Sequence, residues 1–414
     1  MTTAAEAAPE KAPRAAWVAL VVLTLINLLN YVDRFIVPAV MDELKKSELH
    51  PTDVQLGLLT TAFLLVYTLT APFFGVFGDR GHRPKLLALG VGVWSIATAL
   101  GGIATTFGFL LASRAMVGIG EAAYATIAPA LLADHFPAAM RGRVLSVFYA
   151  ATPAGAALGY VLGGQIGAHY GWRYAFFIAG VPGLVLALLA LRLPESTQRA
   201  AKGAAAGFGS YLTLLKNRPY VLVILGYAAY TFGLGGISVW MPAFLERVHH
   251  LGLAAANNQL GLITVITGFT GSLAGGWLGD RLLRRWREAY LWLSGWSTLL
   301  AAPLAYLAFT LPAPLYLYAL FAAELLIFLS TGPVNSSILG LVQPTMRAAS
   351  MALSILAIHM LGDGPSPAII GYLSDRGSLQ QAVMIIPVAV ALGGVIWLYA
   401  AWRGERGPAR GATT

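Results

Sequence analysis

The chain has 414 residues, 57% hydrophobic and only 11% charged, with a formal net charge of +9. Soluble domains average about 25% charged residues, so this composition, with a mean hydropathy of +0.70, excludes a water-soluble globular domain and indicates a polytopic membrane protein. Cysteine is absent, which excludes a disulfide framework, a thiolate nucleophile and a zinc-thiolate centre. The basic residues lie in short loops between apolar runs, as membrane topology requires, and argue against a nucleic-acid partner.

Residues 1–16 are small, polar and proline-containing, with no apolar region ending in a cleavage site, and read as a disordered cytoplasmic tail. A helix that crosses the membrane needs about 20 apolar residues. Runs of that kind occupy 17–38, 54–78, 86–105, 108–133, 143–168, 172–193, 220–244, 257–279, 289–310, 314–339, 346–373 and 380–402, which makes twelve spans. With both termini in the cytoplasm, twenty Lys and Arg fall on that side and five (Lys45, Lys46, Arg173, Arg247, Arg376) on the other, the asymmetry of the positive-inside rule. Residues 194–218 form an Ala/Gly-rich, basic cytoplasmic linker. It separates a six-helix bundle at 17–193 from a second at 219–403, with a short cytoplasmic tail at 404–414. Gly75-Val76-Phe77-Gly78-Asp79-Arg80 after span 2 recurs as Gly276-Trp277-Leu278-Gly279-Asp280-Arg281 after span 8. Repeated halves of this kind build transporters whose site lies at the interface near the midplane.

Span 1 carries Asn27, Asn30, Tyr31, Asp33 and Arg34 within an apolar run. Asn27, Asn30 and Arg34 share a helical face, and Asp33 sits at its edge. Span 4 carries Arg114, Gly118 and Glu121 on one face, the glycine leaving room for a neighbouring helix or a ligand group. A charge at mid-bilayer costs about 2.5–3.5 kcal/mol on insertion scales, so two acids and two arginines there must face inward and pair. Asp33 and Glu121 are therefore the candidate proton-coupling acids. Arg34 and Arg114 are the candidate pairing or substrate-binding cations, with Asn30 beside them. The competing reading is a static charge network that stabilises the N-terminal half.

After span 2, Asp79 can meet a helix N-terminus and Arg80 can pair with Asp134 near the end of span 4, latching one conformation. Span 5 bears Pro153, Gly155, Gly159, Gly163 and Gly164, a small-residue face suited to close packing between the halves. Glu324 in span 10 is a lone acid, either a substrate contact or neutral packing. In span 11, His359 and Asp363 are i, i+4 neighbours ahead of Gly364-Pro365-Ser366-Pro367, where the helix is expected to kink and to gate. The C-terminal half offers Tyr227, Tyr230, Phe232, Trp240 and Phe269 to an amphipathic cargo.

The loop GVFGDRGHRPK resembles the G-x-x-x-D-R-x-x-x-[RK] motif of the major facilitator superfamily, here Gly75, Asp79, Arg80, Arg83 and Lys85. The span 5 glycines resemble the superfamily's antiporter motif. NYVDR in span 1 and RxxxGxGE in span 4 occur in both the organic anion:cation symporter and spinster-like branches. The span 11 residues His359, Gly362, Asp363, Ser366, Pro367, Ile370, Gly371, Ser374 and Asp375 are similar to the spinster-like pattern, with an extra proline at 365. The resemblance implies an all-α fold of two six-helix bundles in the cell (inner) membrane. It also implies a monomeric, proton-coupled transporter of lysophospholipid- or sphingolipid-like molecules, working by alternating access. An organic-anion:proton symporter or drug/proton antiporter of the same superfamily is the alternative. No Gly-x4-Gly-Lys-[Ser/Thr] is present, so ATP is not the expected driver, and the sequence indicates neither an enzyme, a cofactor nor a metal. The expected partners are the amphipathic substrate, protons and membrane lipids.

Overall fold

A computed structural model describes residues 13–195 and 208–406. The twelve spans are Arg14–Ala39, Asp53–Gly78, Arg83–Gly102, Phe107–His135, Met140–Tyr170, Trp172–Ala190, Arg218–Arg247, Leu253–Leu283, Ala289–Thr310, Leu315–Gly340, Arg347–Arg376 and Leu379–Glu405. Helix is the form these sequences must take, because hydrocarbon offers the backbone no other hydrogen-bond partners. Their starts are set where the chain leaves lipid: Thr52 and Gln55 form a capping box at span 2, and Thr106 and Asn217 cap spans 4 and 7. Two short helices lie outside the spans, Met41–Lys46 after span 1 and Phe208–Lys216 before span 7.

The two sets of six spans pack by one scheme. Span 1 lies on span 5, span 2 on span 4, and span 3 on spans 4 and 6. The second set repeats this: span 7 lies on span 11, span 8 on span 10, and span 9 on spans 10 and 12. Between the sets, span 2 packs on the second half of span 11, and span 5 on span 8. Gly57 and Gly371 permit the first of these contacts. A Cβ at Gly57 would collide with the Pro367 carbonyl, and one at Gly371 with the Asp53 carbonyl.

Span 11 does not run straight. Helix Arg347–Ile358 gives way to a π-turn at His359–Asp363, with Gly362 at φ −108°, ψ −107°, before helix resumes at Ser366–Arg376. The break falls ahead of the prolines, not on them. Pro365 and Pro367 lack N–H groups, and their rings crowd the carbonyls four residues earlier, at Leu361 and Asp363.

Two sequence expectations change here. Gly155, Gly159 and Gly163 face Leu28, Val32 and Ala39 of span 1 in the same half, whereas Pro153 and Gly164 meet Gly268 and Asn257 across the interface. A row of small residues reports close helix contact without reporting which helix. Likewise Tyr230 and Trp240 are 2% and 0% exposed and are spent on packing. Tyr230 donates to the Ile327 carbonyl at 3.0 Å and Trp240 to the Pro367 carbonyl at 3.0 Å.

Candidate functional site

Spans 1 and 4 bring all four buried charges into one cluster, sorted into two pairs. Arg114 Nη1 lies 3.1 Å from Asp33 Oδ1, and Arg34 Nε lies 2.7 Å from Glu121 Oε2. Span 3 adds Thr98, whose hydroxyl donates to Asp33 Oδ2 at 2.8 Å. Asp33 and Glu121 are both 0% exposed and Arg114 2%, whereas the Arg34 side chain is 16% exposed. The two pairs therefore differ. Asp33–Arg114 is sealed and has an extra donor, while Arg34–Glu121 reaches accessible space through its arginine.

Arg34 sits in an aromatic collar, its guanidinium carbon 5.2 Å from the Tyr31 ring centre, 5.1 Å from Phe63 and 4.9 Å from Tyr67. The Arg114 guanidinium carbon also lies 5.4 Å from the Phe63 ring centre. Each such contact is worth about 0.5–2 kcal/mol, depending on how far the cation is desolvated. Phe63 and Tyr67 of span 2, and Thr98, are neighbours of the cluster that sequence reasoning missed. The i, i+4 aromatic pair on span 2 was the available signal. Gly118 makes room for a helix and not for a ligand, since a Cβ there would stand 2.5 Å from the Phe63 carbonyl oxygen.

The cluster is paired but not saturated. Glu121 Oε1, Arg114 Nε and Asn30 Nδ2 are buried without a hydrogen-bond partner among the described residues. Unmet donors and acceptors inside a membrane protein cost free energy, and they are the atoms a proton or a ligand group can satisfy. Asn27, one turn from Asn30, donates to the Phe148 carbonyl at 3.0 Å and ties span 1 to span 5.

The second half contributes less charge. His359 Nδ1 lies 2.9 Å from Asp363 Oδ1 within the span 11 break. The His359 ring stands edge-on to Tyr67 at 5.8 Å, so the aromatic collar of Arg34 touches the opposite half. Beside it Thr61 donates to the Gly364 carbonyl at 2.6 Å. Glu324 is 2% exposed and, among the described residues, accepts from Thr264 at 3.2 Å and Thr267 at 3.0 Å, hydroxyls of span 8. It joins no ion pair among the described residues and stands apart from the cluster.

Of the loop residues, the side chains of Asp79 and Arg80 lie outside the described residues. Asp134 is engaged by Arg83, whose Nη1 stands 2.5 Å from Asp134 Oδ2.

A second charged cluster, at the end of the molecule away from the termini, was not singled out from the sequence. Arg247 of span 7 reaches Asp42 Oδ1 at 2.6 Å and Asp53 Oδ2 at 2.9 Å. Asp53 also takes Lys45 at 2.5 Å and the Ser374 hydroxyl at 2.6 Å. Asp375 accepts the Asp53 and Val54 N–H groups, both at 2.8 Å, across the positive N-terminus of span 2. Burial pushes the Asp42 carboxyl up, but hydrogen bonds from Lys46 and Arg247 outweigh it and hold the group below the usual carboxylate range. Tyr160 with Ser238 (2.6 Å) and Asn257 with Ala39 (2.9 Å) extend the seam between the halves.

A repeated twelve-helix frame with a buried, balanced charge cluster in one half defines a membrane transporter. The family model described as Major Facilitator Superfamily matches residues 23–362. "Protein spinster" of Drosophila melanogaster is 34% identical over 383 residues, covering 87% of this chain and 62% of that protein, so the chain spans less than two thirds of the fly relative. "Probable sphingolipid transporter spinster homolog 3" of Arabidopsis thaliana is 31% identical over 432 residues, covering 91% of this chain and 83% of the relative. A crystal structure of a bacterial homolog to the human lysosomal transporter Spinster superposes with a TM-score of 0.85 over 97% of this chain and all of that one, at 23% identity. The chain belongs to the Major Facilitator Superfamily and, within it, to the spinster-type transporters. It is a multi-pass membrane protein that moves a solute and not an enzyme.

Proposed function

We propose that the protein is a proton-coupled secondary transporter of an amphipathic, lipid-like molecule, resident in the cell (inner) membrane and working by rocking of its two six-helix halves. The observation that carries this reading is the double pair Asp33–Arg114 and Glu121–Arg34, buried in one half with unmatched polar atoms. Protonating either acid releases its arginine. An arginine so released in a low-dielectric site takes the next available anion, whether the other carboxylate or an acidic head group. Arg34, the exposed member, is the group that meets cargo. Its aromatic collar offers apolar surface beside the charge, the combination an amphiphile requires.

The orientation rests on charge. With twenty basic residues on the termini side and five opposite, the termini are cytoplasmic. The Asp42–Asp53–Arg247–Asp375 cluster then closes the external end, and the two pairs face inward. His359 and Asp363, at the break in span 11 and against Tyr67, are the elements through which the second half senses Arg34. Asp79, Arg80 and Asp134 form the cytoplasmic latch of the opposite state. The cargo class accords with the sphingolipid transporter named among the relatives.

Thermal stabilisation of purified protein by a panel of lysophospholipids, sphingoid bases, short organic anions and drugs tests the cargo class, because a binder raises stability by mass action. Amphiphiles are expected to shift Tm upward in a saturable way. Stabilisation by short organic anions alone would replace this reading with the organic-anion symporter.

A further inference from the structure

The loop after span 8 copies the loop after span 2 at Gly276, Asp280, Arg281 and Arg284, against Gly75, Asp79, Arg80 and Arg83. The two copies do not share an electrostatic partner. In the first half Arg83 is 7% exposed, with Nη1 2.5 Å from Asp134 and Nε donating to the Gly78 carbonyl at 3.1 Å. The corresponding stretch at the end of span 10, residues 336–346, contains neither Asp nor Glu. Arg281, Arg284 and Arg285 are exposed and join no ion pair among the described residues. Of the two acids here, Asp280 accepts the Tyr290 hydroxyl at 2.6 Å, and Glu288 is buried 3.9 Å from Arg287.

These side chains line a cavity of about 540 Å³ together with Trp277. Trp277 is 64% exposed on the last turns of an apolar span, the depth at which tryptophan marks the membrane interface. Arg281 lies over its ring at 5.5 Å, which fixes one guanidinium at the cavity wall. Of the segments on the same side of the membrane outside the described residues, 196–207 and 407–414 hold no acid, and 1–12 hold Glu6 and Glu10.

We propose that this cavity is a site for the head group of an anionic diacyl phospholipid from the leaflet on the termini side. The arginines hold the phosphate, and Trp277 lies along the glycerol and upper acyl chains. A basic pocket beside a transmembrane helix is suited to such a head group, and guanidinium forks match phosphate oxygens. Membrane origin follows from Trp277, since a free phosphate in water gains nothing from an indole at the interface. The site is separate from the span 1 and span 4 cluster and does not depend on the transport reading.

The test uses full-length protein in neutral detergent with phosphatidylglycerol, phosphatidylcholine or glycerol 3-phosphate added, reading Tm and lipid retained in native mass spectrometry. Phosphatidylglycerol is expected to be retained and to raise Tm, and the effect is expected to weaken as salt is increased. The variant R281Q/R284Q/R285Q is expected to lose about tenfold or more in apparent affinity. Arg284→Gln alone gives a smaller loss and serves if the triple variant folds poorly. Asp33→Asn is expected to keep the full phosphatidylglycerol response. The proposal is overturned by undiminished retention in the folded arginine variants. Equal stabilisation by glycerol 3-phosphate or phosphatidylcholine, or loss of the response in Asp33→Asn, would overturn it too.

Discussion

The two halves share one packing scheme and handle buried charge in opposite ways. In the first, every buried acid at the centre faces an arginine: Asp33 faces Arg114 and Glu121 faces Arg34. In the second, Glu324 is as deeply buried but, among the described residues, meets two threonine hydroxyls, and His359 is paired to Asp363 within the same break in span 11. Hydrocarbon permits an ionised acid only with a partner. The first half can therefore hold charge and exchange it, whereas the second keeps its acid in a setting suited to the neutral form. Repetition of the backbone does not repeat the chemistry.

The comparison can be broken most severely at Arg114. Arg114→Met leaves Asp33 with Thr98 alone and is expected to cost about 3–5 kcal/mol of stability. Adding Asp33→Asn should recover part of the loss, because the uncompensated charge is then gone. Thermal unfolding of the single and double variants reads this. A double variant no more stable than Arg114→Met would mean the pair is not the unit described.

Between the halves, Arg247→Ala removes the cation shared by Asp42 and Asp53 and is expected to cost about 2 kcal/mol of the external contact. Loss of that closure should appear as faster labelling of a cysteine placed at the external end of span 2. Unaltered labelling would place the closure elsewhere. Asp42 is held below the ordinary carboxylate range, so its contribution is present above about pH 4 and lost as pH falls through the depressed value. The contribution of Asp42 to the closure is therefore expected to persist unchanged from pH 8 to pH 5.

Arg34→Ala is expected to weaken anionic amphiphiles about tenfold while leaving neutral ones nearly unchanged, as a direct head-group contact requires. Equal losses for both would make Arg34 structural. The smallest effect is expected at Glu324→Gln, under about 1 kcal/mol in stability, because an amide accepts from Thr264 and Thr267 as a neutral carboxyl does. A large loss there would show that Glu324 is ionised and that the two halves are alike.

Much of this was legible in the sequence because lipid simplifies the rules. Twelve spans follow from apolar length, and charge at Asp33, Arg34, Arg114 and Glu121 stands out where almost none is tolerated. Which arginine takes which acid was not legible, since helix rotation and the position of span 3 decide it, and Thr98 carries no signal of its own. Phe63 and Tyr67 hid among ordinary apolar residues, and Tyr230 and Trp240 were credited with a surface they do not have. The cluster around Arg247 escaped because Lys45 and Arg247 read singly as loop charges and Asp375 as one residue of the span 11 pattern. The packing of span 2 on span 11, and of the end of span 7 on the Met41–Lys46 helix, brings them together.

The most direct test of the account is flux of a stabilising amphiphile in proteoliposomes under an imposed pH gradient, comparing the parent with Asp33→Asn, Glu121→Gln and the double variant. Gradient-driven flux is expected in the parent and none in the double variant, with folding and amphiphile binding retained. Gradient-driven flux that persists in the double variant would contradict it.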